Sequence, residues 1–203
     1  VTSFFPEHLD CHGSLEKYLE AKKHITRFQT NENAVFFHSR STGAVDIAKE
    51  GNGRKIPFSA EDAPVAIGDT HLIGEHNLGN IAAAFLVAQE FGVPRDKAIA
   101  ALNAFRGLPH RLQMLPRKHG IDWVDDAIST TPESSIAALQ ALGKRVNTII
   151  LGGMDRGYDF RTLAEEVVHH TDIAHVILFP ETGLRIRKAL EDSLTHSPRK
   201  LVF

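Results

Sequence analysis

Apolar positions recur with helical spacing across residues 14–28, where Leu15, Tyr18, Leu19 and Ile25 share one face and Ser14 stands in the N-cap position. An amphipathic helix is predicted there. The short apolar run Ala34-Val35-Phe36-Phe37 follows, and the stretch holding Gly43, Gly51 and Gly53 reads as turns between short strands. Residues 63–73 read as a further strand region. Gly74 then opens a long helix over about 76–91, closed by Gly92 and Pro94, and a second helix covers about 95–105. Gly107-Leu108-Pro109 looks like a linker, and beyond it the pattern changes. Strands are expected at about 111–116, 121–125, 146–151, 175–179 and from about 200, with helices at about 133–142, 160–169 and 182–193. Thr131 and Pro132 make a good N-cap and first-turn pair for the first of these helices. Such alternation predicts an α/β fold, with a parallel sheet carrying helices on its faces. A domain boundary is expected near Gly107, dividing the chain into 1–107 and 108–203.

Composition narrows the function classes. A chain of 203 residues with 42% hydrophobic content suits one large domain or two small ones. Its 23 Lys and Arg against 25 Asp and Glu leave no electrostatic footprint for nucleic acid or anionic membrane. The longest apolar runs fall far short of a membrane span. A single cysteine, Cys11, cannot form an internal disulfide, which favours a reducing compartment such as the cytoplasm. The missing initiator Met, and an ending on Leu201-Val202-Phe203 that reads as strand, point to a piece of something longer. Nothing demands more than a monomer.

Several residues stand out as candidate chemistry. Lys22 falls at i+7 from Leu15, i+4 from Tyr18 and i+3 from Leu19, which places it on the apolar helix face. An inward lysine is costly unless it is paired, neutral or modified, although a packed stem with a snorkelling ammonium resolves many such cases. His8 and His12 flank Asp10, but Glu7-His8-Leu9-Asp10-Cys11-His12 lacks the ligand spacing of a closed zinc site. Asn77 and Asn80 sit three apart at the start of the 76–91 helix. N-capping accounts for one of them; a pair on one face also suits hydrogen bonding to a purine edge. Two strand-to-loop junctions lie at the expected ligand side of an open sheet: Trp123-Val124-Asp125-Asp126 and Leu151-Gly152-Gly153-Met154-Asp155-Arg156-Gly157. Gly152 and Gly153 allow close backbone approach and Arg156 can clamp a carboxylate or phosphate, or the glycines simply make a tight turn beside a solvated charge. Neither a dinucleotide fingerprint nor a Walker A loop is present.

Read in order, six segments resemble the ATP-dependent Mur ligases of peptidoglycan synthesis. They are Glu7-His-Leu-Asp-Cys-His-Gly13, Tyr18-Leu-Glu-Ala-Lys22, Gly74-Glu-His-Asn77-Leu-Gly-Asn80, Gly107-Leu-Pro-His-Arg111, Trp123-Val-Asp-Asp126 and Leu151-Gly-Gly-Met-Asp-Arg156-Gly-Tyr-Asp-Phe160. The fourth and sixth look most like the family's glutamate-adding branch. The resemblance implies a partial central ATPase-type domain over 1–107 and a truncated Rossmann-like C-terminal domain with a mainly parallel sheet over 108–203. It implies a reaction in which ATP phosphorylates the carboxylate of UDP-N-acetylmuramoyl-L-alanine and the glutamate amine then attacks the acyl phosphate. It also implies roles: Lys22 as a carbamylated lysine whose new anion helps hold Mg²⁺, His8 as a second magnesium ligand, and Asn77 and Asn80 as the adenine-contacting pair. Arg111 would meet a phosphate and Asp126 the nucleotide, while Arg156 would bind the glutamate carboxylate with Thr130 in the adjoining loop. Three departures stand against the family pattern. The phosphate-binding loop and UDP-binding domain are absent, so the chain alone is not expected to complete the reaction. The loop Ala127-Ile128-Ser129-Thr130-Thr131-Pro132 replaces the better-known Ser-Lys-Ala-Thr-Asn, which bears on D- versus L-glutamate preference. Arg156 replaces the commoner lysine, keeping charge and changing geometry. Other readings are a different Mur ligase or folylpolyglutamate-synthetase-like amide ligase, and a non-catalytic nucleotide-binding module. A hinge near Gly107 is a further expectation.

Overall fold

A computed structural model, which describes residues 1–7, 9–195 and 197–203, separates the chain into two units, Val1–Gly107 and Leu108–Phe203. In the first unit, α1 (Leu9–His12) and α2 (Leu15–Arg27) precede β1 (Ala34–His38), α3 (Thr42–Lys49) and β2 (Arg54–Phe58). Two 3-10 turns, α4 (His76–Glu90) and α5 (Arg95–Ala104) complete it. Ser14 caps α2, its hydroxyl accepting from the Lys17 amide at 3.3 Å. β1 and β2 run parallel in register from Ala34 opposite Arg54 to His38 opposite Phe58, with α3 as their crossover.

That crossover corrects the turn reading of the Gly43–Gly53 stretch. Ser41 caps α3, and Ala44, Ile47 and Ala48 bury one face of it at helical spacing. Gly43 lies inside this helix because the Phe4 side chain packs on it; a Cβ there would stand 2.5 Å from Phe4 Cδ1. The strand region expected at 63–73 is also corrected. The segment holds the 3-10 turn Ile67–Asp69 and no strand, following a Ser59–Asp62 capping box that already turns the chain at Ala60–Asp62.

In the second unit β3 (Gln113–Lys118) and β4 (Ile121–Asp125) pair antiparallel. Then follow α6 (Pro132–Leu142), β5 (Thr148–Gly153), α7 (Arg161–His169), β6 (His175–Glu181) and α8 (Gly183–Leu194). The α/β class expected from sequence is observed, with parallel and antiparallel sheets together. The first two strands leave the parallel sheet because only His119 and Gly120 join them. Both adopt positive φ, 53° and 78°, and a two-residue link can join only antiparallel strands. β5 and β6 are parallel, and the strand expected from about 200 is reduced to a bridge between Val202 and His175. Leu139, Leu151, Leu163, Val167, Val176, Ile186 and Leu190 form the core beneath α6, α7 and α8. Arg199 locks the C-terminus of α7, donating to the carbonyls of Val167, Val168, His170 and Ile173, where a cation also meets the negative end of the helix dipole. Among the described residues no helix is long and apolar enough to cross a membrane.

Candidate functional site

Lys22 is exposed, which corrects its inward placement. The packed arc of α2 carries Tyr18 and Thr26, both buried, while Ile25 on the supposed apolar face is 70% exposed. Thr26 reads as polar yet sits inside, because its hydroxyl donates to the Ile47 and Lys23 carbonyls. Lys22 instead extends over the Tyr18 ring, with Nζ 5.2 Å from the centroid, and Phe4 stacks on the same tyrosine at 5.1 Å. His8 lies outside the described residues. Among those described, no group of three or more His, Cys, Asp or Glu is arranged to hold a metal ion.

The capping account of the asparagines fails. The N-cap of α4 is Glu75, and Asn77 instead donates back to the Ile73 carbonyl at 2.9 Å. Asn80 Nδ2 donates to Asn77 Oδ1 at 3.1 Å, so the two amides form one polar patch at the start of α4. Asn80 is exposed, and its carbonyl and second amide hydrogen stay outside this pair. Between them Gly79 is buried against the His38 ring, 3.4 Å from where its Cβ would stand.

In the second unit the segment before β3 and the loop after β4 are tied into one cluster. Arg111 Nη1 donates to Ser129 Oγ at 3.5 Å, and that hydroxyl donates to Asp126 Oδ2. Asp126 Oδ1 accepts the Leu112 amide at 2.9 Å. The structure therefore brings Arg111 and Asp126 together through Ser129, a residue the sequence reading did not single out. A second carboxylate, Asp125, pairs with His110 Nδ1 at 2.7 Å and accepts the Ala127 amide at 3.1 Å. His110 and Leu112 hold positive φ of 60° and 43°, a conformation these anchored contacts maintain. Thr130 is exposed one residue beyond Ser129, and Thr131 caps α6 by accepting from Ser134 N.

The His110 ring, and then the Ala127 amide, hold the Asp125 carboxyl below its ordinary value of 3.8. A depressed folded-state value means the stabilisation is complete above the ordinary value and is lost as pH falls through the depressed one. Asp125→Asn is accordingly expected to flatten the loss of stability of the second unit as pH falls below the ordinary aspartate range. Equal pH slopes for variant and parent would contradict that assignment.

Arg156, half-buried, lies in the irregular segment between β5 and α7. Gly152 and Gly153 have φ of 133° and 132°, a region open essentially to glycine alone. At Gly152 the backbones of β5 and β6 also meet: a Cβ would lie 2.8 Å from the Phe179 carbonyl oxygen. Asp155 accepts the Gly157 amide at 2.8 Å, turning the chain around Arg156. The Gly157 amide, and then the Arg185 guanidinium, hold the Asp155 carboxyl below the usual aspartate range.

Comparison with known proteins gives this α/β scaffold a class. No protein-family model matches the chain. It is 30% identical over 211 residues to the UDP-N-acetylmuramoylalanine--D-glutamate ligase of Geobacillus sp., covering 95% of this chain and 46% of that protein. It is 32% identical over 197 residues to the enzyme of the same name from Roseiflexus sp., covering 82% of this chain and 42% of that protein. Among solved structures, MurF from Acinetobacter baumannii superposes with a TM-score of 0.73 at 17% identity, over 100% of this chain and 54% of that one. UDP-N-acetylmuramate-alanine ligase MurC from Thermotoga maritima gives 0.68 at 19% identity, over 100% and 49% respectively. The chain belongs to the Mur ligase family. Within it, the chain is closely related to the UDP-N-acetylmuramoylalanine--D-glutamate ligases, and it spans about half the length of the relatives it matches.

Proposed function

We propose that this chain is the nucleotide- and glutamate-binding portion of an ATP-dependent ligase that joins glutamate to UDP-N-acetylmuramoyl-L-alanine in the cytoplasm. In this reading residues 1–107 end the central ATP-binding domain and residues 108–203 belong to the amino-acid-binding domain. The polar patch of Asn77 and Asn80 suits an adenine edge, whose ring nitrogen and exocyclic amine call for one donor and one acceptor. Arg111, exposed and donating to the neutral Ser129 hydroxyl at 3.5 Å, supplies a guanidinium for a phosphate, and Asp126 retains acceptor capacity for ribose hydroxyls. Lys22 is accessible to CO2, and its carbamate would offer oxygen to Mg²⁺, as would His8 its imidazole. The described residues alone give no complete magnesium shell, so the ion would draw on ligands beyond this set. When bound, Mg²⁺ neutralises charge on the transferring phosphoryl group.

The observation that carries the reading is the glycine-framed loop at the carboxyl end of β5, with Arg156 at its centre. A guanidinium there binds the incoming amino acid's side-chain carboxylate through two parallel hydrogen bonds and leaves its amine to attack the acyl phosphate. Thr130 contributes a hydroxyl from the loop before α6. Arg156→Gln in the full-length enzyme is expected to raise KM for glutamate by about ten- to a hundredfold, with KM for ATP little changed. A glutamate KM equal to that of the parent would overturn this placement.

A further inference from the structure

The segment that carries Arg156 has no regular structure from Asp155 to Phe160, yet it is held by one end of α8. Arg185 reaches back from the first turn of that helix and makes three contacts. Its Nη1 donates to Asp155 Oδ1, its Nη2 donates to the Tyr158 carbonyl at 2.6 Å, and its guanidinium carbon lies 5.3 Å from the centre of the Phe160 ring. One contact precedes Arg156 and two follow it, so the arginine brackets the turn. The residues just before α8 add to the hold. Buried Thr182 donates its hydroxyl to the Gly153 carbonyl at 2.9 Å, and a Glu181 carboxylate oxygen accepts the Asp155 amide at 3.3 Å. Glu181 does this from a left-handed conformation, φ 68°, which non-glycine residues keep only where their surroundings impose it.

We infer that Arg185 is a positioning residue for the amino-acid-binding loop: it fixes the 155–160 turn so that Arg156 is presented in one geometry to its carboxylate ligand. The inference rests on the reading of Arg156 given above. An untethered six-residue segment samples many backbone states, and a clamp that must form two aligned bonds loses strength as its own position spreads. Arginine suits the task because one planar group meets a carboxylate, a carbonyl and an aromatic face at once. Lysine, as a point charge, can keep the Asp155 contact but neither stack on Phe160 nor fork to two acceptors.

The test uses the full-length ligase with Arg185→Gln and Arg185→Lys, read by kinetics and by hydrogen exchange. Arg185→Gln is expected to raise KM for glutamate about tenfold or more while kcat and the KM values for ATP and the UDP-linked substrate stay within about twofold. Amide exchange in residues 153–160 speeds up, exchange in α7 and α8 does not, and Arg185→Lys falls between parent and Gln in both readouts. A merely structural role would instead speed exchange across α7 and α8 and lower kcat with KM, and that pattern overturns the proposal. Unchanged exchange in the loop, or an unchanged glutamate KM despite a loosened loop, also overturns it. Arg156→Gln separates the two claims. If that variant leaves the glutamate KM untouched, the assignment of Arg156 fails, while the exchange data still decide whether Arg185 holds the loop.

Discussion

Gly51→Ala is expected to destabilise the first unit by about 3 kcal/mol or more. Gly51 is buried just after α3, and a Cβ there would stand 1.7 Å from the Thr26 carbonyl oxygen and 2.6 Å from its carbon. Neither is a side-chain end that can swing aside. Thr26 is pinned through its hydroxyl to the Ile47 and Lys23 carbonyls, and the Thr26 carbonyl accepts the Gln29 amide at 3.0 Å. The neighbouring Lys55 ammonium bonds the carbonyls of Gly51 and Gly53, which fixes the other side of the contact. Relief therefore requires α2 and α3 to move apart, opening the contact that buries Thr26, Ile47 and Ala48. Gly53→Ala is the control. Its Cβ would press first on Gln29 Oε1, at 2.6 Å, the far end of a flexible side chain, so a loss of about 1 kcal/mol is expected. Urea unfolding followed by circular dichroism compares the two, and a Gly51→Ala loss no larger than that of Gly53→Ala would contradict the packing described.

The second large effect is expected at Gly152. Alanine there meets two obstacles: a φ of 133° that L residues rarely adopt, and a Cβ within 2.9 Å of the Phe179 backbone nitrogen and 2.8 Å of its carbonyl oxygen. The close approach occurs where the register between β5 and β6 slips, between the Leu151–Leu178 and Gly153–Glu181 pairs. Gly153 has almost the same φ, 132°, with nothing within 4 Å of its Cβ position, so Gly153→Ala isolates the conformational part. We expect about 3 kcal/mol for Gly152→Ala and about 1–2 kcal/mol for Gly153→Ala. If Arg156 binds glutamate as proposed, Gly152→Ala in the full-length enzyme should also raise KM for glutamate more than Gly153→Ala does, because the displaced strand end launches the Arg156 loop. Equal effects of the two substitutions on stability would show that the Phe179 contact is not made.

The helices α2 and α6, capped by Ser14 and Thr131, and α4 and α5, separated by Gly92 and Pro94, were legible in the sequence because caps and breakers act over a few residues. What failed was non-local. Gly43 looked like a turn, but its missing side chain makes room for Phe4, forty residues of chain order giving no sign of that contact. A helical wheel gave Lys22 an apolar face but could not tell which arc would be packed, and a hydroxyl that satisfies two carbonyls drew Thr26 inside instead. The loops after β4 and β5 were legible as loops because glycine pairs and strand ends are local signals. Their supports were not: Ser129 between Arg111 and Asp126 is one serine among many, and Arg185 lies 30 residues from the aspartate it holds.

Identifying the product of the full-length enzyme decides whether it is a glutamate-adding Mur ligase. ATP, Mg²⁺, UDP-N-acetylmuramoyl-L-alanine and either D- or L-glutamate are supplied, and the nucleotide-linked product is resolved by mass spectrometry alongside ADP and phosphate. The expected result is one amide product carrying a single added glutamyl residue, formed in step with phosphate release. No amide with either enantiomer, or turnover only with a different amino acid or acceptor, would contradict it.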